Sequence, residues 1–139
     1  MINNKEERLK TLFKKYSLLK EDGFRLKRGG KDIPIITRTG IDKIQANEKI
    51  KIKFELCEYT PEISAAVKAT AILNDNTVES YGEANQKNNK NAYPLAMAEK
   101  RAMSRVILKL TGFYELGVFG EDESDDFKKN ENQINQINN

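Results

Sequence analysis

Arg101, Arg105 and Lys109 follow one another at intervals of four. On a helix that interval stacks three cations along one side about 6 Å apart, close to the spacing of phosphates along one nucleic-acid strand. Lys100 widens the stripe. Like charges so placed cost about 0.2–0.5 kcal/mol per pair on a solvated face, and the cost falls when a phosphate backbone lies opposite. Upstream, Lys87 and Lys90 sit among Asn and Gln residues whose amides can hydrogen-bond phosphate, sugar or base. The alternative is that Glu99 and other carboxylates neutralise the stripe and leave ordinary surface. Further candidate phosphate contacts are Arg38 and the group Arg25, Lys27, Arg28 and Lys31 around Gly29-Gly30, which a solvated turn would explain equally well. Lys68 points either into the same groove or toward Glu79 or Glu83. Tyr81 and Tyr93 flank the basic loop, where they can stack on bases or simply pack at a sheet edge.

Other chemistries lack their residues. The chain has no histidine, and Cys57 is its one cysteine. An intrachain disulfide, a Cys/His zinc site and a Ser-His or Cys-His nucleophile pair are therefore ruled out. A Gly-rich phosphate loop followed by Lys-Ser/Thr is missing, so ATP hydrolysis is not expected. The densest group of carboxylates lies toward the C-terminus, where the sequence offers nothing to hold them in catalytic geometry. The expectation is a binder without catalytic residues, metal or cofactor.

The elements that must position these residues can be read from periodicity. Residues 5–19 predict an amphipathic helix, with Leu9, Leu12, Phe13, Tyr16 and Leu19 on one stripe. Its partner is either the domain's own core or a neighbouring subunit. Phe24 to Arg28 and Ile33 to Ile36 predict two short strands around the Gly-Gly turn. Thr37 or Thr39 can cap a short helix running to Asn47, with Ile41 and Ile44 inside. From Lys49 to Glu58 the chain alternates, which predicts a half-buried strand with Ile50, Ile52, Phe54 and Leu56 inward. Ser64 to Leu73 and Thr77 to Ala84 predict two more strands, joined by the turn Asn74-Asp-Asn-Thr. A long helix follows, from Tyr93 to Leu110, with Pro94 in its first turn and Gly112 past its end. Its expected core stripe is Leu95, Ala98, Ala102, Val106 and Leu110.

The predicted class is α+β: a three-stranded antiparallel meander packed by the long C-terminal helix, a β-β-β-α core with helical elements before it. The expected division is an N-terminal helix over 1–22, a binding core over 23–119, and an acidic, Asn-rich, disordered tail over 120–139. From Glu115 onward seven acidic residues face two lysines, a net −5, which leaves +8 on residues 1–114 of a chain whose whole charge is +3. A basic body suits a polyanion, while the acidic tail either competes with it or recruits a partner protein. The longest apolar runs fall far short of the ~20 residues a membrane span needs. Neither that nor a secretory leader is expected, and the predicted location is the cytoplasm of a bacterial or phage-infected cell.

The run from Ala69 to Gly117 carries a resemblance. A strand ending in Tyr81-Gly-Glu-Ala84, a polar loop, then Tyr93-Pro-Leu-Ala-Met-Ala-Glu-Lys-Arg-Ala-Met-Ser-Arg105 and Leu110-Thr-Gly112 resembles the single-strand DNA annealing protein superfamily, which includes the eukaryotic annealing recombination mediator and small phage and prophage relatives. The resemblance implies a β-β-β-α core whose helix lines a groove for single-stranded DNA. It gives Lys100 and Arg101 phosphate-contact roles, through a Lys-Arg-Ala element matched at 100–102. Arg105 departs by one position from the family's next arginine. ATP-independent annealing by rings or filaments, in recombination or repair, would follow. The match covers a third to a half of the chain and leaves the first 45 residues unmatched. Three rivals stand beside it: a double-stranded RNA-binding domain, whose lysine cluster is here replaced by Tyr93-Pro94-Leu95, an assembly protein that offers its basic helix to an acidic partner, and a small nuclease, held down by the missing histidine.

Overall fold

Gly29 and Gly30 both take left-handed backbone angles, with φ of 58° and 80°, and they close a two-residue turn between β1 (Gly23–Arg28) and β2 (Lys31–Ile36). Both central positions of such a turn need positive φ, which glycine adopts without a Cβ penalty. The structure is a computed structural model that describes residues 4–124, together with the backbone of 134–136. Helix α1 (Asn4–Lys15) precedes the hairpin, and α2 (Arg38–Glu48) follows it. Thr37 caps α2, its hydroxyl accepting from the Gly40 amide at 3.0 Å.

The next three strands are β3 (Lys51–Thr60), β4 (Ser64–Leu73) and β5 (Asn76–Ala84), an antiparallel sheet in the order β3-β4-β5. Helix α3 (Pro94–Thr111) then crosses this sheet and stops at Gly112, whose φ is 90°. The chain is thus α+β, with its long C-terminal helix packed on a sheet.

A second sheet extends the expected Gly-Gly hairpin by two strands that the sequence reading did not include. The two-residue strand β6 (Phe119–Gly120) lies parallel to β2, and β7 (Ile134–Gln136) runs antiparallel to β1, giving the order β6-β2-β1-β7. Residues 120–124, expected to open a disordered tail, instead pack on the body: Glu123 is 8% and Ser124 1% exposed. Most of the rest of that expected tail, including Asp125-Asp126-Phe127, which the sequence offers as a short docking motif for a partner, lies outside the described residues.

The main core is built on small side chains. Ala65, Val67, Ala69 and Ala71 of β4 and Ser80, Gly82 and Ala84 of β5 face Ala98, Ala102 and Val106 of α3, all buried. At Gly82 the approach is so close that a Cβ would lie 2.1 Å from the Ala98 carbonyl oxygen. Helix α1 closes the same core from the other end. Its Phe13 and Tyr16 rings each sit 6.0 Å from the ring of Phe113, so the apolar stripe serves this chain's own core. The helix stops short of residue 19. Ser17 is left-handed at φ 58°, and the Leu18 amide donates back to the Phe13 oxygen at 2.8 Å, a six-to-one closure that turns Leu19 out to solvent.

Two buried-face expectations need correction for one reason. Phe54 and Leu56 pair with Ala69 and Val67 and so share the helix-facing side of the sheet, yet they are 42% and 55% exposed. Helix α3 lies over β4 and β5 and barely reaches β3, which overhangs as an edge. Leu95, at the head of α3, is exposed for the same lack of a covering layer.

Candidate nucleic-acid interface

Arg101 begins where the expected stripe should be, at mid-helix, but its side chain turns into the protein and the residue is only 3% exposed. Its Nε donates to the Asp122 backbone oxygen at 3.1 Å, Nη1 to the Glu83 backbone oxygen and the Asn88 Oδ1, both at 2.9 Å, and Nη2 to the Asn88 backbone oxygen at 2.7 Å. These acceptors belong to three separate segments. A planar fork of donors fits such a set, and with it Arg101 welds β5, the basic loop and the acidic segment to α3.

Arg105 is likewise drawn inward. It pairs with the Glu123 carboxylate through Nε and donates from Nη1 to the Tyr81 backbone oxygen at 2.6 Å. Arg38, expected to contact phosphate, also faces protein. Its Nε lies 3.3 Å from Asp42, Nη1 3.5 Å from Asp122, and Nη2 3.1 Å from the Met103 sulfur. Ser104 adds a bond from its hydroxyl to Asp122 Oδ2 at 2.9 Å. Arg38, Arg101 and Arg105 therefore converge on the turn Glu121–Glu123 and do not form a phosphate-facing row. The correction has a plain cause: a buried guanidinium needs acceptors, and the acidic segment supplies them.

The stripe is broken in another way. Lys109 remains exposed, its Nζ 5.4 Å from the centre of the Tyr114 ring, while Lys100 is exposed on a different side of α3 from the buried Arg101. Lys68 does not enter a groove. It meets Glu79 at 3.1 Å, and the hydrogen bond and charge of that carboxylate raise its pKa. Tyr81 pairs with Lys68 on the sheet face opposite α3, so it does not stand with the loop it flanks in sequence. Arg28 is exposed at the hairpin tip, across from Lys31, and Arg25 pairs with Glu6 at 2.9 Å.

What the fold does gather is the loop 85–92 and the head of α3. The loop is ordered by its own amides. Asn85 Oδ1 accepts from the Lys87 and Asn88 amides at 2.9 and 3.2 Å, Asn88 Oδ1 accepts from the Asn85 amide at 2.8 Å, and Asn91 Oδ1 accepts from the Tyr93 amide at 2.8 Å. Arg101 holds the middle of the loop at Asn88. Lys87 and Lys90 are exposed on it, and Tyr93, 70% exposed, stands where it enters the helix.

Two features escaped the sequence reading. Tyr59, one residue past the strand expected to end at Glu58, lies within β3 and shares an open depression with Tyr93, Pro94, Leu95, Ala96 and Glu99. The other is the acidic clasp of Asp122 and Glu123. Its only trace in the sequence is the match of acidic residues after Phe119 to arginines about twenty positions earlier, a separation that no local period reveals.

Among the described residues, no helix is long and apolar enough to cross a membrane. Compared with family models, curated proteins and solved structures, the chain matches none of them.

Proposed function

We propose that the protein binds single-stranded DNA and anneals complementary strands without ATP and without a catalytic step of its own, working as a homo-oligomer in recombination or repair. The observation that carries the reading is the loop 85–92. It is held in one conformation by Arg101 and its own asparagines, and it carries exposed Lys87 and Lys90 into exposed Tyr93. Together with exposed Lys100, two turns into α3, this supplies cations and an aromatic face at one end of the molecule, the pairing that sequence-tolerant binding of single strands requires. A pre-ordered loop binds with less entropy lost.

One such domain offers few phosphate contacts, so useful affinity needs several protomers in a row. The overhanging edge strand β3, with Phe54 and Leu56 exposed, suits the contact between protomers. The same exposed pair favours a second reading, an assembly protein with no nucleic-acid partner.

The test is fluorescence anisotropy on matched single-stranded DNA, duplex DNA and duplex RNA across a salt series, with a Lys90→Ala/Lys100→Ala double variant beside the parent. Salt-sensitive binding to the single strand, weakened at least tenfold in the variant, supports the reading and leads to a strand-annealing assay. Binding to none of the three at low salt leaves the assembly protein. A preference for duplex RNA points instead to recognition of A-form shape.

A further inference from the structure

The depression at the head of α3 has the make-up of a site for one unstacked base. Tyr93 is 70% and Tyr59 44% exposed, and both line it, with Pro94, Leu95, Ala96 and Glu99. We infer that Tyr59 and Tyr93 hold a nucleobase of the bound strand there, and that Glu99 favours bases carrying an exocyclic amino group.

This inference rests on the single-strand reading above and adds to it the base contact and its selectivity. Two aromatic rings left in water at one spot forgo the burial that rings normally obtain, and a flat π-face recovers it. Tyr93 is well placed to offer its ring at small entropic cost. Its amide is tied to Asn91 at 2.8 Å, and Pro94 follows it as the first helical residue. A purely apolar partner would fit the rings but would gain nothing from Lys90 and Lys100, both exposed and close to the lining residues in sequence. Lys90 lies three residues before Tyr93, and Lys100 stands one helical turn beyond Ala96 on the side of α3 that lines the depression. A nucleotide carries a flat apolar face and an anion in one unit, so it matches both.

Glu99 sets the orientation. A carboxylate in the depression repels phosphate, so the phosphate goes to the lysines and the edge of the base turns toward Glu99. Cytosine and adenine present an exocyclic amino donor on that edge, and guanine presents two adjacent donors, whereas thymine has only its imino N–H there, flanked by two carbonyl oxygens that a carboxylate repels. Tracts of dC and dA should therefore bind several-fold more tightly than dT.

The experiment uses the full chain, with anisotropy of labelled dC, dA and dT tracts at fixed salt, and with Tyr93→Ala, Tyr59→Ala, Tyr93→Phe and Glu99→Gln beside the parent. Circular dichroism and the urea midpoint establish that each variant is folded. The chain has no tryptophan and five tyrosines, so the part of the quenching that is lost in Tyr59→Ala and Tyr93→Ala reports on stacking at those rings. We expect quenching on binding, a loss of about tenfold for each alanine variant, affinity kept by Tyr93→Phe, and a difference between dC and dT that shrinks in Glu99→Gln. Alanine variants that bind every tract as the parent does would overturn the site while leaving single-strand binding intact. A parent that binds no strand overturns both. Self-association that Tyr93→Ala abolishes, with strand affinity unchanged, assigns the depression to a second copy and overturns it as well.

Discussion

Arg101 reaches from α3 to the backbone oxygen of Asn88 at 2.7 Å and to its side-chain oxygen at 2.9 Å, so a buried helix residue fixes the conformation of an exposed loop. The loop in question is the one that presents Lys87, Lys90 and Tyr93. Arg101 therefore serves any surface function there as a positioning residue, without touching the partner itself.

Replacing it tests that role. Arg101→Lys keeps the charge but concentrates the donors at one point, too few and too close together for acceptors on three segments. The expected loss is about 2–4 kcal/mol in urea unfolding. Amide exchange should quicken across residues 85–92. An unchanged midpoint with unchanged exchange would show the network to be idle.

Gly82 makes a steric prediction. A methyl group there would sit 2.1 Å from the Ala98 oxygen and 2.3 Å from the Ala102 nitrogen, both backbone atoms of α3. Neither can yield without moving the helix off the sheet. Gly82→Ala should cost about 3 kcal/mol or leave the protein unfolded, read by chemical denaturation. Because φ at Gly82 is not in the left-handed region, the cost would come from contact and not from backbone strain.

The Arg105–Glu123 pair predicts a measurable coupling. Their side chains are 27% and 10% exposed, so solvent and salt screen the interaction less than they screen a surface pair. Glu123→Ala should destabilise by about 1–3 kcal/mol. A double-mutant cycle with Arg105→Ala should return a coupling of at least about 0.5 kcal/mol that persists in high salt. Simple additivity would mean that the clasp is held by packing alone.

Lys68 predicts behaviour with pH. The hydrogen bond to Glu79 and that carboxylate's charge raise its pKa above the usual lysine value. A raised pKa stabilises the folded state fully below the unfolded value and loses that contribution as pH climbs through the folded one. The contribution is therefore constant at neutral pH and fades only in alkali. Side-chain NMR titration should place Lys68 above the usual lysine value, and Glu79→Gln should lower it.

The regular elements were legible because their signals are local. Alternation marks β3, the Gly-Gly turn marks the first hairpin, Pro94 and Gly112 bracket α3, and Thr37 or Thr39 announces α2, which Thr37 caps. Phe54 and Leu56 show the limit of that legibility. Alternation places them on the helix-facing side of β3, but whether a side is covered depends on where α3 lies, and α3 lies over β4 and β5. The candidate site divides in the same way. The exposed lysines Lys87, Lys90 and Lys100, Glu99 and the ring of Tyr93 could be named from the sequence, whereas Tyr59 joins them only because the last residues of β3 come to the depression at the head of α3.

By itself, the sequence determined which chemistries are open, through the missing histidine and the lone cysteine, together with the order of the main elements and the basic character of residues 1–114. Tertiary structure alone decided which cations face solvent. The spacing of Arg101, Arg105 and Lys109 guarantees one side of a helix, but a guanidinium turns inward wherever acceptors close around it, and those acceptors come from β5, the loop and the turn at Glu121–Glu123. These contacts span 13 to 24 residues. No local period records such distances, so they are set only when the chain folds.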